Sequence, residues 1–146
     1  MKIGLYSGIA RQGHVEAWRI IEDKGYSASL KDIRRFRQIV KAMPPDSGSY
    51  ITRNLKSVDF FSTSDCRDLY FHVQEHHFTL PQIETILQNL GLAFLGFELS
   101  DARSATRFRQ ENPEPKALSS LPLWHHFEQE NPGTFSSLYE FWAQKS

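Results

Sequence analysis

Thr79-Leu-Pro-Gln-Ile-Glu-Thr-Ile-Leu-Gln-Asn-Leu-Gly-Leu-Ala-Phe-Leu-Gly-Phe-Glu-Leu99 decides the fold class of this chain. Thr79 with Gln82 three residues on forms a capping box, which starts a helix. Ile83, Ile86, Leu87 and Leu90 then recur at helical spacing along one face, and Gly91 supplies the stop. Leu92 to Leu99 follows at once. It is apolar on alternate and intervening positions alike, so its spacing predicts a strand covered on both faces, as in a parallel sheet. A helix joined to a buried strand by one glycine is half of a βαβ unit, and the chain reads as α/β.

Working outward, Lys2 to Tyr6 has the composition of a short strand, and the segment 10–75 is mainly helical. One helix spans about 13–24 and stops at Gly25. A second is capped by Ser29 and buries Ile33, Phe36, Val40 and Met43 before Pro44-Pro45 ends it. A third begins near Thr63, with Cys66, Leu69, Tyr70 and Val73 as its stripe. Residues 50–61 fit no single element. Beyond Ser100 come a polar helix, a second short helix over Leu121–Glu130 with Trp124 and Phe127 facing in, and a break at Asn131-Pro132-Gly133. The tail alternates from Tyr139 to Gln144, which predicts a closing strand. We expect a single domain over 1–146, with a 2–6 strand, a 10–75 helical insertion, a 79–99 helix–strand unit, and helices with a closing strand over 100–146.

Composition limits the partners. The chain has 146 residues, with 17 Lys plus Arg against 17 Asp plus Glu, so its formal charge is zero. No field of one sign favours nucleic acid or an anionic membrane. One cysteine, Cys66, allows no intrachain disulfide, and no apolar run is long enough to span a bilayer. These features predict a cytoplasmic protein.

Candidate chemistry concentrates just before the capping box. His72-Val-Gln-Glu-His76 fits H-x-x-E-H, which on a helix places two imidazoles on one face beside a carboxylate, as in zinc hydrolases. The helix breaks within a turn, at Phe78-Thr-Leu-Pro81, and no third ligand is specified, so we expect no metal. His72, Glu75 and His76 stand instead as candidate catalytic residues facing a substrate, acting as hydrogen-bond partners or proton acceptors. Gln74 and Tyr70 are candidate substrate-binding residues. No G-x-S-x-G elbow and no Walker loop occur. No two glycines are separated by a single residue, so no Gly-x-Gly turn is present to hold a nucleotide-like cofactor at a helix N-terminus.

Several blocks together resemble one family. Met1-Lys-Ile-Gly-Leu-Tyr-Ser7, Phe60-Phe-Ser62, Cys66-Arg-Asp-Leu69, Phe71-His-Val-Gln-Glu-His76, Phe78-Thr-Leu-Pro-Gln-Ile83, Gly91-Leu-Ala-Phe-Leu-Gly-Phe-Glu98 and Phe135-Ser-Ser-Leu-Tyr-Glu-Phe-Trp142 look like the C-terminal half of class I S-adenosylmethionine-dependent methyltransferases, of the bacterial type often joined to tetratricopeptide repeats. The resemblance implies a partial Rossmann-like methyltransferase sheet of mixed parallel and antiparallel strands, with a helical insertion. Lys2–Tyr6 would be its fifth strand and Leu92–Leu99 its sixth. Tyr139–Gln144 would be the seventh, antiparallel and inserted between them. The family's cofactor loop and ribose-holding acid belong to strands that would lie before Met1. The resemblance therefore implies S-adenosylmethionine for the whole family but no cofactor for this chain alone. Three readings follow in order: a substrate-side lobe inactive alone, a non-catalytic interaction module or truncated gene product, and a zinc hydrolase. A first strand without its sheet neighbour also predicts a homodimer or a partner chain covering that edge.

Overall fold

A computed structural model describes residues 1–45, 47–71 and 75–146, with the backbone alone at Asn54. The chain divides into two compact units. Met1–Ala10 with His76–Ser146 form the first, and Arg11–Glu75 form the second.

The first unit is built on a sheet of β1 (Lys2–Ser7), β2 (His77–Phe78), β3 (Leu92–Phe97) and β4 (Leu138–Lys145), in the order β2-β1-β4-β3. β4 runs antiparallel to both β1 and β3, so the inserted closing strand expected from the resemblance is present. β2 is parallel to β1, pairing His77 with Tyr6 and Phe78 with Ser7. The Gly8 N–H extends that pairing by donating to the Phe78 carbonyl at 2.8 Å. Three longer helices complete this unit: α5 (Leu80–Asn89), α6 (Ala102–Glu111) and α7 (Leu121–Glu130). α5 starts as its sequence requires. Gln82 Oε1 accepts the Thr79 N–H at 2.8 Å, and Gly91 follows with φ of 63°, a left-handed conformation that glycine adopts without strain.

One face of this sheet is the core. Ile3 and Leu5 of β1 join Tyr139, Phe141 and Ala143 of β4 and Phe94 and Phe97 of β3, packed with Ile83, Leu87, Phe108, Trp124 and Phe127 from the helices. Trp124 stacks on Phe108 with centroids 3.5 Å apart, and Phe97 meets Trp124 edge-on at 5.5 Å.

The expectation that β3 is covered on both faces is corrected by a β-bulge. Phe94 pairs with Ala143 and Gly96 with Trp142, leaving Leu95 as an extra residue. The bulge resets the alternation, so Leu92, Phe94 and Phe97 all reach the core while Leu95 is 45% exposed. A strand with one interrupted alternation looks continuously apolar in sequence. Gly96 sits at φ of 146°, where a Cβ is strained. The opposite sheet face carries Tyr6, Leu138 and Trp142, all at least one-third exposed, and an ion cluster in which Lys2 Nζ lies 3.1 Å from both Glu98 and Glu140.

The second unit comprises α1 (Gln12–Lys24), α2 (Leu30–Ala42), a 3-10 turn at Ile51–Lys56, α3 (Val58–Phe61) and α4 (Thr63–Tyr70). The stretch 50–61, undecided from sequence, is thus two short helical pieces. Ser29 caps α2 by accepting the Asp32 N–H at 3.2 Å. Ala17, Ile33, Phe36, Val40, Phe60, Cys66 and Tyr70 form a separate core. Among the described residues, no helix is long and apolar enough to cross a membrane.

Candidate functional site

Of the residues singled out from sequence, Tyr70 and Glu75 belong to the second unit and His76 to the first. His72 and Gln74 lie outside the described residues. Tyr70 is 4% exposed, and its ring packs 5.6 Å from Phe36 and 5.2 Å from His14. That placement makes the ring part of the second unit's core.

Glu75 is held by Arg11. The Arg11 Nε donates to Glu75 Oε2 at 3.0 Å, and a second guanidinium N–H donates to Oε1, so the pair is bidentate. Both side chains are under one-tenth exposed. A buried fork of this kind fixes geometry strongly. It joins the first and last residues of the second unit. A carboxylate so engaged is poorly suited to accept a proton from a substrate or from a metal-bound water. Among the described residues no group of three His, Cys, Asp or Glu side chains could hold a metal ion.

His76 opens onto a site. With His77, Phe78, Gln82, Thr85 and Ile86 it lines a cleft of about 350 Å³ beside β2 and α5. The cleft walls are mainly apolar, and Ile86 is 38% exposed. Gln82 Oε1 is occupied by the Thr79 amide and hydroxyl, and the Thr85 hydroxyl donates back to the Pro81 carbonyl at 3.0 Å. The His76 and His77 imidazoles add polar ring nitrogens to this cleft wall. Open α/β sheets bind ligands where loops leave the carboxyl ends of their strands. β2 and its neighbour β1 bring this cleft close to such a position.

One polar cluster was missed in the sequence. Glu128 of α7, Tyr139 of β4 and Ser7 of β1 are all fully buried. Glu128 accepts the Tyr139 hydroxyl, with O···O 2.8 Å to Oε2, and the Ser7 hydroxyl at 3.0 Å. Ser7 Oγ in turn accepts the Ala10 N–H at 3.1 Å. Burial pushes the Glu128 carboxyl above its ordinary value, against the lowering effect of its two hydroxyl donors. Burial first, and then the Glu128 carboxylate, push the Tyr139 phenol up as well. No face of this trio is open to a substrate, so it ties α7 to the carboxyl end of β1. The sequence signal was Glu128 itself, four residues after Trp124 on the inward stripe of its helix. Cys66 is also fully buried, and burial raises its thiol, which makes it an inert core residue.

Comparison of the chain with protein-family models and with curated proteins finds no match.

Proposed function

We propose that this chain supplies the trailing, substrate-side strands of a class I methyltransferase sheet, and that the methyl donor is gripped by strands it does not contain. The observation that carries the reading is strand order. β4 lies antiparallel between β1 and β3, the arrangement the family resemblance requires of its seventh, fifth and sixth strands. The lack of any Gly-x-Gly turn in these 146 residues supports the second half of the statement. In this reading His76 and His77, which line the cleft beside β2, orient a methyl acceptor; His72 and Gln74, proposed for the substrate side from sequence, lie outside the described residues. The zinc-hydrolase reading is given up, because Glu75 is committed to Arg11.

Isothermal calorimetry tests this directly. The 146-residue chain should give no binding heat with S-adenosylmethionine, and a dissociation constant of about a micromolar or tighter would overturn the proposal. A co-purifying chain that carries a Gly-x-Gly turn should restore both donor binding and methyl transfer.

A second reading is a non-catalytic interaction module. It draws on Tyr6, Leu138 and Trp142, which are exposed on the outer sheet face. A stable partner without a Gly-x-Gly turn would favour it.

A further inference from the structure

We propose that the second unit carries a binding site for a small phosphate ester, in the cleft between the end of α2 and the 3-10 turn at Ile51–Lys56. The cleft has a volume of about 530 Å³, within the range of small-molecule sites. Lys41, Arg53 and Lys56 line it, and none of the three makes an ion pair with a described residue. Two of these cations are held from one side by a ring. Lys41 Nζ lies 5.0 Å from the centroid of Phe61, and the Arg53 guanidinium lies 4.9 Å from that of Tyr50. Ring contacts restrain a cation without neutralising it, so its charge stays available to an anion.

The rim is also fixed. Glu16 Oε2 accepts the Ser49 hydroxyl at 2.6 Å and the Ile51 N–H at 2.9 Å, and the Thr52 hydroxyl donates to the Ser49 carbonyl at 2.8 Å. Glu16 is therefore spent on the backbone turn, and it is not one of the groups lining the cleft. Met43 and Leu55 add apolar wall. Three cationic side chains on the wall of one cleft, with an apolar flank, suit a dianionic phosphate attached to a small hydrophobic group. This site lies within Arg11–Glu75 and does not depend on the methyltransferase reading.

The test uses the full chain at low salt, titrated with phenyl phosphate and, in parallel, with inorganic phosphate and phenol, followed by amide chemical shifts. Phenyl phosphate should move the amides of Lys41 and of residues 52–56, and should bind more tightly than either fragment. Arg53→Gln and Lys56→Gln are exposed-site changes whose thermal melts should match the parent. Each should weaken binding by about tenfold, the equivalent of one charge-assisted contact. Lys31→Gln and Lys116→Gln, exposed lysines elsewhere, should leave it unchanged. Shifts scattered over all surface lysines, or equal affinity in Arg53→Gln, Lys56→Gln and the two controls, would overturn the proposal. Should either cleft variant melt early, Lys41→Gln provides the same comparison.

Discussion

Two buried carboxylates play different parts, and their partners decide which. Glu75 meets a guanidinium. Among the described residues, Glu128 meets hydroxyls. Removing one partner of a buried ion pair strands the other charge, so Arg11→Met should destabilise the second unit by about 3 kcal/mol. Adding Glu75→Met should recover most of that loss, and chemical denaturation of the single and double variants measures both. Glu128 should show itself through pH. Its carboxyl titrates above the ordinary 4.5 in the folded chain. The folded state therefore holds that proton more firmly, and the resulting stabilisation is complete below about pH 4.5 and is lost as pH rises through the elevated value. Glu128→Gln cannot titrate. The stability of the parent relative to this variant should fall as pH rises from about 4.5 through the elevated value and then level off. A pH-independent difference would show that the carboxyl is not elevated. Neither partnership could be found in the sequence. Arg11 and Glu75 stand 64 positions apart, and Glu128 is joined to a serine 121 positions away.

Elements were legible wherever hydrophobic spacing and end signals agreed. Ser29 before α2 and Thr79 before α5 mark true helix starts, and Gly25 and Gly91 follow the ends of α1 and α5 with positive φ. The closing strand was legible through the alternation of Tyr139, Phe141 and Ala143, all of which face the core. β3 was legible as a strand but not as a one-sided one, because a bulge leaves no composition signal of its own. The bulge makes a sharp prediction about neighbouring residues. Phe97 touches the rings of Phe94, Trp124, Phe135, Tyr139 and Phe141, whereas Leu95 points to solvent. Phe97→Ala should cost about 3 kcal/mol or more, and Leu95→Ala within about 0.5 kcal/mol. Thermal or denaturant melts of the two variants decide it. Similar losses would mean that the register across the bulge is wrong.

For the whole molecule, the strands that border β1 decide what the sheet can accept. Ser7 donates its N–H to Ser137, and Met1 exchanges hydrogen bonds with Ala143. In an antiparallel ladder these pairs alternate, so Ile3 and Leu5 also direct their amides to β4. Lys2 and Gly4 then direct theirs to the other edge. On that edge β2 reaches only Tyr6 and Ser7, and no described strand pairs there with Lys2 or Gly4, whose pairing is with β4 on the opposite side. An edge of this kind accepts added strands, either from a second copy or from a different chain. The proposed split sheet needs that acceptor edge, because the donor-gripping strands would dock there. Hydrogen exchange at single-amide resolution reads it out in the dilute, isolated chain. The account predicts a Gly4 amide exchanging about a hundredfold faster than its neighbour Leu5, and slowing once a partner chain is bound. A Gly4 amide as protected as Leu5 in the dilute chain would contradict it.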